Sequence, residues 1–107
     1  MRKTYNKLVR DKIPILIAAN GEEALTRIVS GKEYEEFLLR KDLEESGELR
    51  EAKTAAQRLE ELADKLEVLC ALTLYYGLTM EDVEEKRQEK ERDRGGFFGK
   101  IVLIETG

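Results

Sequence analysis

Residues 59–75 read LEELADKLEVLCALTLY. Each residue of an α-helix advances about 100° around the axis, so Leu59, Leu62, Leu66, Leu69 and Thr73 fall on one stripe of such a helix. Val68, Leu72 and Tyr75 fall on a second stripe on another side, and Glu61 and Asp64 continue that second stripe. A helix with two apolar sides belongs at the centre of a bundle or against another subunit. An acid pair on one of those sides is therefore expected to point inward.

The same anomaly recurs upstream. Ser30 and Glu33 have the Ser-x-x-Glu form of a capping box, which predicts a long helix over about residues 32–53. On it Tyr34, Leu38, Leu49 and Ala52 share a stripe, Glu45 falls on that stripe, and Glu48 lies one turn on, on the flank of Phe37. Residues 54–76 form the next helix, stopped by Gly77, and Thr79 caps a fourth that runs to Gly95-Gly96. Upstream of these, Pro14 suits the first turn of a short helix through Ile15, Leu16, Ile17 and Ala18, with Asn20-Gly21 as its stop. The tail Lys100 to Ile104 reads as a short strand, expected to pair with the β-branched stretch Thr26 to Val29 or with a partner chain. The expected fold is all-α: one domain over residues 1–107, a bundle of about four helices, assembled as a homo-oligomer.

With 107 residues and 41% hydrophobic content there is room for one modest core. No apolar run approaches the roughly 18 residues of a membrane span, and the start MRKTYNKLVRDK lacks a secretory hydrophobic segment, so a cytoplasmic protein is expected. The single cysteine, Cys70, sits in an apolar stretch and reads as a small core residue. There is no histidine, which removes imidazole catalysis and the usual zinc and di-iron ligand sets. Any metal would be held by oxygen, which favours Mg²⁺ first and Mn²⁺ second. Formal net charge is −4, yet residues 1–12 carry five bases, Arg2, Lys3, Lys7, Arg10 and Lys12, against the one acid Asp11. An acidic chain without a recognisable binding module speaks against nucleic acid as the partner of these bases.

Inward carboxylates cost several kcal/mol each, on the order found for unpaired buried charge, unless something matches them. Converging Glu45, Glu48, Glu61 and Asp64 would be matched by one or two Mg²⁺ ions that bridge to phosphate oxygens. The competing reading is ordinary neutralisation by Lys53, Arg58 or Lys65, with the chain a non-catalytic helical interaction module.

The run Glu44-Glu45-Ser46-Gly47-Glu48 followed by Glu61-Leu62-Ala63-Asp64 resembles the Glu-Glu-x-x-Glu and Glu-x-x-Asp signatures of the all-alpha nucleoside triphosphate pyrophosphohydrolases. The opening Tyr5-Asn6-Lys7-Leu8-Val9-Arg10-Asp11-Lys12-Ile13-Pro14 and the closing Lys90-x-x-x-Arg94-Gly95-Gly96-Phe97 are similar to a MazG-like, phosphoribosyl-ATP pyrophosphohydrolase-like branch, so the resemblance spans nearly the whole chain. It implies Mg²⁺ ligation by Glu45, Glu48, Glu61 and Asp64, with Glu44 a supporting acid and Glu67 a further candidate. It also implies a helical homodimer or homotetramer. Two positions depart from the pattern: Lys65 stands where an apolar residue is expected, within ion-pair reach of Glu61, and Asp42 precedes the acidic motif where similar sequences are apolar.

The implied reaction is hydrolysis of a nucleoside triphosphate to the monophosphate and pyrophosphate, with house-cleaning of non-canonical nucleotides as one role and phosphoribosyl-ATP hydrolysis as the sibling reaction. Glu44 or Glu48 would take the proton of the attacking water. Lys7, Arg10, Lys12, Lys90 and Arg94 would grip phosphates, since guanidinium and ammonium groups match anionic oxygens. Gly95-Gly96-Phe97 reads first as a helix stop.

Overall fold

The computed structural model describes residues 2–107. Among them are four helices, α1 (Ile13–Ala19), α2 (Gly31–Glu51), α3 (Ala55–Tyr75) and α4 (Met80–Arg94), and no strand. None of these helices is long and apolar enough to cross a membrane.

Helices α2 and α3 form the body of the protein, packed as a hairpin across the short connection 52–54. The connection is extended at Ala52, which ends α2 two residues before the expected boundary, and it sets Thr54 as the cap of α3. Thr54 Oγ1 accepts from the Gln57 N–H at 3.1 Å, and the Gln57 side-chain oxygen accepts from the Thr54 N–H at 3.3 Å. Both free amide groups are thereby satisfied.

The interface between the two helices uses the second α3 stripe. Val68 is buried and Leu72 and Tyr75 are half-buried on α3; on α2 Leu38 is only 2% exposed, and Tyr34, Phe37 and Leu49 are half-buried along the same helix. Tyr34 and Tyr75 pack edge to face at 5.8 Å between ring centres. Next to them the Tyr76 hydroxyl donates to Glu35 at 2.7 Å. Midway along the hairpin Lys65 reaches across, its Nζ 3.1 Å from Asp42 and 2.6 Å from Ser46 Oγ. The two positions that depart from the family-like pattern are thus each other's partners, and Lys65 turns away from Glu61.

The first α3 stripe has no cover. Leu59, Leu62, Leu66 and Leu69 are 43–69% exposed, while Thr73 is buried, its hydroxyl donating to the Leu69 carbonyl at 2.7 Å. Cys70 is half-buried and unpaired.

The remaining elements lie outside this hairpin, and α1 touches no other helix. Pro14 opens α1, and Gly21, at φ +80°, comes just after its end in the left-handed conformation that glycine accepts without strain. The irregular arm 2–12 lies against α2 and α3 through Lys7, Leu8 and Arg10. Helix α4, capped by a Thr79–Asp82 box, touches α3 but not α2 and buries no side chain. The radius of gyration is 18.0 Å, against about 13 Å for a compact chain of this length.

Two expectations are corrected. Ser30 caps α2 by position only: its side chain accepts no hydrogen bond, and the Glu33 carboxylate, held in a two-pronged pair with Arg27 at 3.0 Å, does not reach back to the Ser30 N–H. The expected pairing of residues 100–104 with 26–29 is absent within the chain, because α4 departs from the hairpin and carries the tail away from the start of α2.

The two caps make a paired prediction. Thr54→Ala is expected to cost about 1 kcal/mol in denaturant unfolding, as losses of a bonded cap do. Ser30→Ala is expected to cost a small fraction of that; equal losses would contradict the cap geometry.

Candidate metal centre

Four carboxylates meet where α2 and α3 face each other. Glu45, Glu48, Glu61 and Asp64 each present one oxygen, and these oxygens all lie within 4.8 Å of one another. Helical spacing produces the pairing within each helix, and the antiparallel hairpin brings the pairs together. Glu45 is 4% exposed, Glu61 and Asp64 are half-buried, and Glu48 is open to solvent. An open cleft beside them is lined by Glu48, Glu51, Gln57, Glu60 and Glu61.

The charges are only partly matched. Arg10 donates to Asp64 at 2.7 Å, and Lys7 donates to Glu44 at 2.9 Å. Lys41, one turn before the acidic run, lies 3.4 Å from Glu44 and 3.5 Å from Glu45. Oε2 of Glu45 and Oε2 of Glu61 are inaccessible to solvent and have no hydrogen-bond partner among the described residues. Burial, then hydrogen bonds to Glu61 and Glu48, push the Glu45 carboxyl up to about 7 from an ordinary 4.5. The hydrogen bond to Glu45 draws Glu61 down, but burial and the proximity of Glu48 and Asp64 outweigh it, and Glu61 too is raised. Both carboxyls of the Glu45–Glu61 pair thus favour the protonated form more than an isolated glutamate does. Glu44 goes the other way: burial raises it, but the hydrogen bond from Lys7 and the charges of Lys41 and Lys7 hold it below the ordinary value.

This donor set fits a hard cation. It is all oxygen, it contains two buried oxygens without partners, and its span approaches that of an ion's ligand shell. Opposite oxygens on an ion bound at about 2.1 Å, the Mg²⁺ distance, lie about 4.2 Å apart, close to the 4.8 Å within which these four oxygens fall.

Comparison with protein families, curated proteins and solved structures returns no match to this chain.

Of the residues singled out in the sequence, the four ligand candidates come together. Glu44 sits beside them, engaged by Lys7 and Lys41. Glu67 is exposed, near enough to Arg10 to add to its field. Lys7 and Arg10 are brought to the acids by the N-terminal arm. Lys12 is exposed at the start of α1 and makes no ion pair among the described residues. Lys90 and Arg94 are not brought to the centre: they are exposed on α4, which does not touch α2. Lys53 and Arg58 form no salt bridge among the described residues, and Lys65 pairs elsewhere. Lys41, which sequence reading passed over, carries a plain signal in its i+3 and i+4 spacing to Glu44 and Glu45.

The raised Glu45 carboxyl predicts a pH dependence. Below about 4.5 both folded and unfolded chains hold its proton, and its contribution to stability is complete. As pH rises through about 7 the folded chain must give that proton up, and the contribution is lost. Without divalent metal, unfolding free energy is expected to fall by on the order of 2–3 kcal/mol between pH 5 and pH 8. A Glu45→Gln chain, neutral at every pH, should lack most of that slope; chemical denaturation across pH with and without the substitution measures it.

Proposed function

We propose that this chain is a Mg²⁺-dependent nucleoside triphosphate pyrophosphohydrolase of the MazG-like, phosphoribosyl-ATP pyrophosphohydrolase-like kind, working in the cytoplasm as a homo-oligomer on non-canonical nucleotides. The observation that carries it is the gathering of Glu45, Glu48, Glu61 and Asp64 within 4.8 Å, two of their oxygens buried without partners, beside the basic arm. Mn²⁺ would fit the same oxygens.

In this reading the four acids hold Mg²⁺, which supplies positive charge at the phosphate oxygens and makes a nearby water more acidic. Arg10 and Lys7 already stand at the rim of the cluster, on Asp64 and Glu44, in reach of an anion brought there. Lys12 extends the same basic surface. The water's proton would go to a carboxylate oxygen that the metal leaves free. Glu44 is a weak acceptor because Lys7 and Lys41 hold its proton affinity down, which favours the open Glu48. The exposed leucine stripe of α3 supports the oligomer. Lys90 and Arg94 could serve this centre only from a second copy.

A second reading is favoured by the same ion pairs. With Arg10 on Asp64 and Lys7 on Glu44, the arm itself neutralises part of the cluster, as a non-catalytic interaction module would require.

An assay of standard and modified triphosphates together with phosphoribosyl-ATP, detecting pyrophosphate, tests the enzymatic reading and separates the sibling reactions. Glu61→Gln and Asp64→Asn are expected to cut the rate by more than the roughly 10–100-fold that changes around a metal's ligands cost, with the helical fold retained. Millimolar Mg²⁺ should raise the melting temperature, and Asp64→Asn should abolish the rise. Absence of both effects supports the module instead.

A further inference from the structure

Residues 23–29 and 101–107 have a feature in common that sets them apart from the helical hairpin. Among the described residues, none of their backbone N–H or C=O groups takes part in a hydrogen bond. Both segments lie outside the helices, and both are rich in residues that favour strands: Thr26, Ile28 and Val29 in one, Ile101, Val102 and Ile104 in the other. Ile28 is 98% exposed, and Ile101 to Ile104 lie between 76% and 89% exposed. Unpaired backbone flanked by uncovered β-branched side chains is the form of a sheet edge awaiting a strand.

The chain cannot close the pair itself in this arrangement. Residues 23–29 lead directly into α2, whereas the tail comes after α4, which makes no contact with α2. Gly95 at φ +81° ends α4, and a turn from Phe97 to Lys100, closed by a 3.1 Å hydrogen bond with Lys100 at φ +58°, swings the tail out of the helix direction. The tail is thus presented as a free edge, away from its own counterpart.

We propose that residues 101–104 of one copy of this chain pair, as a β-strand, with residues 26–29 of a second copy, reciprocally, so that two copies exchange their C-terminal arms. The occupant is a second copy because the chain carries both halves of the pairing. A two-fold exchange uses both edges of both copies, whereas a foreign strand would fill one and leave the other open. Strand pairs this short are marginal alone. The uncovered α3 stripe of Leu59, Leu62, Leu66 and Leu69 supplies the apolar surface that the same association can bury. The exchange is independent of the metal centre and goes beyond oligomerisation as such, since a dimer formed through the leucine stripe alone would leave both edges unpaired.

The test uses the full chain in a Cys70→Ala background. One preparation carries Ile28→Cys and another Val102→Cys; after mixing and exchange, a short bismaleimide is expected to join the two, with peptide mass spectrometry finding residue 28 linked to residue 102 between copies. Leu103→Asp is expected to raise the dimer dissociation constant at least about tenfold by sedimentation. A 28–102 link formed only inside monomers of a chain carrying both cysteines would overturn the proposal, as would a stable dimer with no such link and no response to Leu103→Asp. None of these readouts involves nucleotide or metal, so a negative result leaves the enzymatic reading where it stands.

Discussion

Mutual repulsion of the carboxylates between α2 and α3 is the constraint to which the rest of the molecule answers. Two unit charges 4.8 Å apart repel by about 3 kcal/mol at an effective dielectric constant near 20, and there are four such groups. Exposed ion pairs contribute roughly 0.2–1 kcal/mol each, so Arg10 on Asp64 cannot offset this repulsion by itself. The strain is relieved by a raised proton affinity at Glu45 and Glu61 and by Lys41 held against the buried end of the cluster. In the proposed enzyme a divalent cation would replace both forms of relief, supplying at one point the positive charge that the proton and Lys41 supply separately.

Helical periodicity made the four ligand candidates and their host faces legible, because spacing along one helix is a local property. The break between α2 and α3 was legible too, expected near residues 53 and 54 and found at 52–54. Less was visible where the deciding contacts are long-range. The positive charge of Lys7 and Arg10 was plain, but their positions on Glu44 and Asp64 join residues 37 and 54 apart in the chain. Ser30 and Glu33 had the right spacing for a capping box, yet Arg27 offered Glu33 a two-pronged charged partner that outcompeted a backbone N–H. The two β-like segments were recognised by composition, while their separation by α4 was not, since composition carries no information about the direction in which a helix leaves the bundle.

Lys65 and Asp42 illustrate how a departure from a pattern is absorbed. Each alone would place an unpaired charge beside the interface between the two helices. Together, with Ser46 Oγ as a second acceptor for Lys65, they replace an apolar contact by a polar one of the same reach. The pair lies within a turn of Glu45 and Asp64, so it also draws Lys65 away from the cluster, which keeps its positive charge from occupying the space a cation would use.

Helix α4 places no side chain in the core. Its cap is its own Thr79–Asp82 box, and its length is laced by Arg87 bonded to Glu84 and Glu91 and by Lys86 bonded to Glu89. Fifteen residues at a rise of about 1.5 Å make it a strut of roughly 22 Å. It acts as a ruler: the segment beyond Gly95 is set at a distance dictated by helical rise rather than by packing, and inserting or deleting a turn would move that end by a known step while leaving the hairpin untouched.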